Sequence, residues 1–144
     1  MASVFDVAKY ILESRGMMTA MKLQKLVYYS QAWSLAWTEE PLFDDEIEAW
    51  ANGPVIRSLF ELHRGMFKVT ARDLPNGDSS VLSTDEKDTI NSVLEFYGNK
   101  SPQWLSDLTH MEDPWKNARS GIPDYVRDNT IISKASLLEY YANL

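Results

Sequence analysis

Apolar residues recur at helical spacing along most of this chain. Val4, Val7, Ala8, Ile11 and Leu12 form one stripe, bounded by Ser3 before it and Gly16 after it. With Asp6 at the third helical position, Ser3 predicts a capping box and a first helix that stops short of Gly16. Thr19 predicts the cap of a second helix, AMKLQKLVYYSQAWSLAW, whose main stripe is Leu23, Leu26, Val27, Ser30, Ser34 and Trp37. Tyr28, Ala32, Leu35 and Ala36 cover much of its other side. A helix apolar almost all round belongs in the middle of its domain, so residues of about 20–37 are expected to form a central buried rod. Gln24, Tyr28 and Gln31 make a polar row on that rod. They are expected to satisfy one another in a buried hydrogen-bond network, the sharper alternative being a polar cleft.

Beyond the rod the pattern weakens. EEPLFDDEIEAWANGPV reads as an extended or irregular segment anchored by Phe43, Ile47 and Trp50. Gly53-Pro54 then predicts the start of a helix, PVIRSLFELHR, burying Val55, Ile56, Leu59, Phe60 and His63, because proline is tolerated where helical amides lack partners. Residues 66–83 hold the one plausible β-hairpin: Phe67 and Val69 alternate, and PNGD is a strong turn signal. Ser83 with Glu86 predicts a capped helix ending near Gly98, with Ile90, Val93, Leu94 and Tyr97 inward. Ser101-Pro102 and Asp113-Pro114 open two further helices, and Ser133 caps a last one that buries Leu137, Leu138 and Tyr141. The expected architecture is mainly α: one domain over residues 1–144, six or seven helices around the central rod, with room for a small hairpin near 66–83.

Composition narrows the function. There are no cysteines, which removes disulfides, thiolate nucleophiles and sulfur-ligated zinc. The first residues lack the pattern of a secretory signal, and no apolar run approaches the length of a membrane helix. A cytoplasmic protein without membrane contact is expected. The net charge of −7 sets the chain against nucleic acid, whose binding draws on clustered lysine and arginine. Five tryptophans, seven tyrosines and five phenylalanines are a heavy supply for so small a core. Some are expected at the surface, where such rings anchor protein contacts.

Catalytic patterns are sparse. The glycines stand alone, so there is no phosphate cradle or dinucleotide fingerprint, and no serine sits in a nucleophile elbow. His110 and Glu112 are two apart, roughly 200° around a helix axis at a step of about 100° per residue. One metal could reach both only if the chain turned at Asp113-Pro114, with His63 as a third ligand. A small metal-dependent hydrolase using His63, His110 and Glu112 is thus the alternative from another class. The leading expectation is a non-enzyme with no cofactor. In it, LTHMEDPWKNAR is a joint between helices: His110 meets free carbonyls, Asp113 caps, Trp115 anchors, and Arg119 reaches a carboxylate such as Glu46 or Glu112.

MKLQKLVYYSQAWSLAW, PLFDDEIEAWANGPV, the YG at 97–98 and LTHMEDPWKNAR, in that order, closely resemble the Panacea domain, whose members include phage-associated GepA-like proteins and SocA-like antitoxins. The resemblance spans nearly the whole chain. It implies an antitoxin that neutralises a cognate toxin protein by binding it; in the SocA-like branch it implies, alternatively, an adaptor delivering the toxin to the Clp protease. The matching motif positions are Leu23, Gln24, Lys25, Leu26, Tyr28, Tyr29 and Gln31; then Phe43, Ile47, Ala49, Trp50, Gly53, Pro54 and Val55; then Thr109, His110, Glu112, Pro114, Trp115 and Arg119. The resemblance carries no catalytic residue. An acidic surface would steer a basic toxin, less so at high salt. Trp33, Trp37, Trp50 and Trp104 are the candidate toxin contacts. The motifs encode neither the toxin's identity nor a homo-oligomeric state.

Overall fold

A computed structural model describes all 144 residues. Seven α-helices run in chain order as α1 (Val4–Arg15), α2 (Ala20–Thr38), α3 (Arg57–His63), α4 (Thr84–Tyr97), α5 (Pro102–Met111), α6 (Asp113–Ala118) and α7 (Lys134–Ala142). Five short strands accompany them: β1 (Met18–Thr19), β2 (Ile47–Trp50), β3 (Gly53–Ile56), β4 (Lys68–Val69) and β5 (Ile131–Ile132). All pairings are antiparallel, β1 with β4 and a three-stranded sheet in the order β3-β2-β5.

Local chemistry sets the helix starts. Ser3 and Asp6 exchange side-chain and backbone hydrogen bonds across the first turn of α1, and Ser83 and Glu86 do the same for α4. Thr19, Ser101 and Ser133 accept backbone N–H groups at the starts of α2, α5 and α7. Each cap satisfies an amide that has no partner within its helix.

The core forms around α2, which packs against α1, α4, α5, α7 and β3. Every residue of α2 from Leu23 to Ala32 is buried, polar ones included. Trp37, at the end of the expected stripe and a candidate contact, is 52% exposed. Phe60 and Leu138 are half-buried rather than enclosed.

Two expectations about strands are overturned. Gly53-Pro54 does not begin a helix: it opens β3, which folds back on β2 through Ala51 and Asn52, pairing Trp50 with Gly53 and Ala49 with Pro54. Proline is admissible there because β3 is the edge of its sheet. Residues 66–83 do not pair with themselves. Lys68 and Val69 pair instead with Thr19 and Met18, and the PNGD turn leans on the start of α1, where Asp78 N–H donates to Asp6 Oδ1 at 2.8 Å.

Candidate functional site

The motif residues of α2 hold other segments by their backbones. Gln24 accepts the Ile56 N–H at 2.9 Å and donates to the Ile56 carbonyl at 3.2 Å and to His63 Nε2 at 3.0 Å. Two turns further on, Gln31 accepts from Leu42 N–H (2.7 Å) and Phe43 N–H (3.4 Å) and donates to the Phe43 carbonyl (2.8 Å). The polar row is therefore buried and bonded, but to residues 42–56, to His63 of α3 and to α7 rather than internally. Its two glutamines grip both ends of the segment that carries the β2–β3 hairpin.

Between them lies Lys25, buried, donating to the Pro54 carbonyl at 3.3 Å. Burial pulls its ammonium down to about 8, since the charged form loses water. Gly53 makes room for this chain: a Cβ there would sit 2.6 Å from Lys25 Cε, and its φ of +121° suits glycine alone.

Glu112 is the hub of a second buried cluster. Tyr29 and Tyr141 both donate to its Oε1 at 2.7 Å, and Tyr28 donates in turn to the Tyr141 oxygen at 3.0 Å. Burial raises the Glu112 carboxyl above the usual carboxylate range, while the two phenols pull it back. Burial raises Tyr28, Tyr29 and Tyr141 in turn, so all three stay neutral donors at physiological pH. The cluster ties α2, α7 and the α5–α6 joint together.

The joint itself differs from expectation at three residues. Glu112 is the residue preceding α6, so Asp113 and Pro114 form its first turn and Asp113 does not cap it. His110 meets no helix carbonyl through Nε2, which is buried without a hydrogen-bond partner, and its ring stacks on Trp115 at 4.1 Å. Arg119 reaches neither Glu46 nor Glu112. Buried behind Trp115, it donates to the carbonyls of Ala49 (2.9 Å), Pro123 (2.8 Å) and Val126, its Nε left unpaired. Carbonyl oxygens suit a buried guanidinium in a strand-and-loop setting, because they supply acceptors without a second buried charge. Thr109 Oγ1 is likewise enclosed, donating to the Ser106 carbonyl.

The hydrolase alternative loses its geometry here. His63 is held by Gln24, His110 lies against Trp115, and Glu112 is bracketed by tyrosines. No set of three or more histidine, aspartate or glutamate side chains converges to hold a metal ion.

Of the four candidate contact tryptophans, three fall along one strip. Trp37 packs on Trp33 with centroids 5.1 Å apart, and the Trp33 indole N–H donates to the Tyr97 hydroxyl at 2.9 Å. Tyr97, pushed up to about 12 by burial, contacts Phe96 edge-on at 4.7 Å. Lys100 Nζ lies 5.7 Å above the Phe96 ring and 4.8 Å above Trp104. The result is a band of linked rings in which Trp37, Phe96 and Trp104 reach the surface at 52%, 60% and 40% exposure, while Tyr97 between them is buried. Trp50 is not part of it: it packs on Phe60 and Arg57 at the β2–β3 turn. Sequence reasoning missed Phe96 and Lys100. The available signal was that Phe96 falls off the Ile90–Val93–Leu94–Tyr97 stripe, leaving a large ring with no core to enter.

No helix is long and apolar enough to cross a membrane. A family model described as antitoxin SocA-like, Panacea domain, matches residues 23–116, the stretch that runs from Leu23 of α2 to Lys116 of α6. No curated protein and no solved structure matches the chain.

Proposed function

The chain belongs to the family of SocA-like antitoxins with a Panacea domain, and on that premise we propose that it neutralises a toxin protein by binding it directly through the aromatic band. The observation that carries this reading is the exposure of Trp37, Phe96 and Trp104 along one linked row of rings, on a molecule whose core is already complete. Large rings left in water cost hydration free energy, and a partner that covers them recovers it. Lys100, suspended over two of these rings, adds a cation whose attraction strengthens as water is excluded. The motif residues have a different task. Gln24, Lys25, Gln31, Glu112, Trp115 and Arg119 are buried and bonded within the chain, so they build the scaffold that holds the band in place.

The test is co-expression with the product of the adjacent reading frame. Growth arrest by that product, relieved by this chain, is the expected outcome. Trp37→Ala with Trp104→Ala should abolish the relief and weaken the isolated complex by about thirtyfold or more, the usual scale for removing a tryptophan anchor. Full relief by the double variant would remove the band from the interface.

A further inference from the structure

Away from the aromatic band, the β2–β3 turn, α3 and the loop before β5 enclose an open cleft of about 780 Å³. Its floor is Trp50 and Phe60, packed edge to face at 4.8 Å. Three arginines gather around it, Arg57, Arg64 and Arg127, on a chain whose net charge is −7. Nothing assigned to the scaffold or to the band accounts for them.

The three are not equivalent. Arg57 is committed: it grips Glu48 through two hydrogen bonds of 2.9 and 3.0 Å and lies 5.4 Å above the Trp50 ring. Glu48 also accepts the Trp50 indole N–H at 2.8 Å, so this wall is fixed. Arg64 is held loosely, 3.4 Å from Glu61 with both side chains largely in water. Exposed pairs of that kind contribute at most about 1 kcal/mol, so Arg64 can change partner at little cost. Arg127 has no carboxylate within ion-pair distance. The one acid lining the cleft, Asp128, is turned into its own loop, where it accepts from Thr130 N–H and hydroxyl. Two guanidiniums are therefore available, and they come from different segments. Buried Arg119 anchors the loop that carries Arg127, since it donates to the carbonyl of Val126, the residue just before Arg127.

We propose that this cleft is a second binding surface, which takes an extended acidic segment of a partner protein. Arg64 and Arg127 receive carboxylates, an apolar side chain takes the Phe60 face that Arg64 vacates, and the Asn52 and Asn129 amides read the segment's backbone. Charge complementarity selects this occupant. A nucleotide fits less well, because the committed Arg57 covers the Trp50 face, the larger ring on which a base would stack. The proposal goes beyond the aromatic band and rests on the reading that the chain works by binding protein.

The experiment titrates a short synthetic peptide of Asp, Glu and Phe into the isotopically labelled full chain, followed by NMR. A Lys/Arg/Phe peptide and a thymidine oligonucleotide serve as parallel probes. The expected result is movement of the Trp50 indole and of the Asn52 and Asn129 amides, with the Trp33, Trp37 and Trp104 indoles unmoved. Arg64→Glu with Arg127→Glu, both at the surface, should melt as the parent does and weaken the acidic peptide by about tenfold or more. No Trp50 response at millimolar acidic peptide, or an equal response to the basic peptide or the oligonucleotide, overturns the proposal. Trp37→Ala separates the two surfaces. A chain that captures toxin through the band yet ignores the peptide refutes the cleft alone, and one that takes the peptide but not the toxin refutes the band alone.

Discussion

At the scale of single residues, Lys25 and Gly53 are a matched pair. Alanine at 53 would need a backbone that only glycine adopts easily, at about 1–3 kcal/mol, and would also drive its Cβ into Lys25. Urea unfolding of Gly53→Ala should show at least that loss. Lys25 also writes a pH dependence. Above its ordinary value of 10.5 the amine is neutral whether the chain is folded or not, and contributes nothing. Between there and about 8 the unfolded chain takes the proton and the folded chain refuses it, so stability falls as pH falls. Below about 8 the penalty is complete, on the order of 3 kcal/mol. Stability should therefore rise from about pH 8 towards 9.5 and flatten over that range in Lys25→Met. Above about 10 the buried tyrosines reverse the trend, since only the unfolded chain can ionise them readily.

At the scale of elements, the central observation is that α2 serves as hydrogen-bond partner to the backbone of other segments, the loop at Leu42 and Phe43 and the edge strand β3. Gln31→Leu would preserve bulk but strand the amides of Leu42 and Phe43 and the Phe43 carbonyl. A loss of about 3 kcal/mol is expected, with faster amide exchange at 42 and 43 as its local signature. The same contrast explains what could be read from the chain. Caps at Ser3, Thr19, Ser83, Ser101 and Ser133 are local, and the helices they open lay where the pattern put them. The β2–β3 hairpin was hidden because Ile47, Glu48 and Ala49 are all buried, which erases the alternation of a half-exposed strand, and because Gly-Pro also marks a helix start. The pairing of β4 with β1 joins residues fifty apart, beyond any local signal. Gln24, Glu112 and Arg119 stood out as motif positions, yet their partners depend on the assembled fold: a backbone carbonyl leaves no trace in residue identity.

At the scale of the molecule, interior and surface divide the labour. The exposed rings of Trp37 and Trp104 contribute little to a core that closes without them, so the double alanine variant should keep its thermal midpoint while losing its partner. Trp33 is different. Its indole is bonded to Tyr97 and packed on Tyr141, so truncating it should lower both stability and binding. A calorimetric scan beside the binding assay separates the two classes. The grip of Gln24 and Gln31 on main-chain atoms carries a last consequence. Because those bonds read peptide groups and ignore side chains, the outward residues of the hairpin can drift over generations without loosening its seat. A lineage could thereby re-tailor the rim of the cleft to a new adversary while inheriting the frame unchanged.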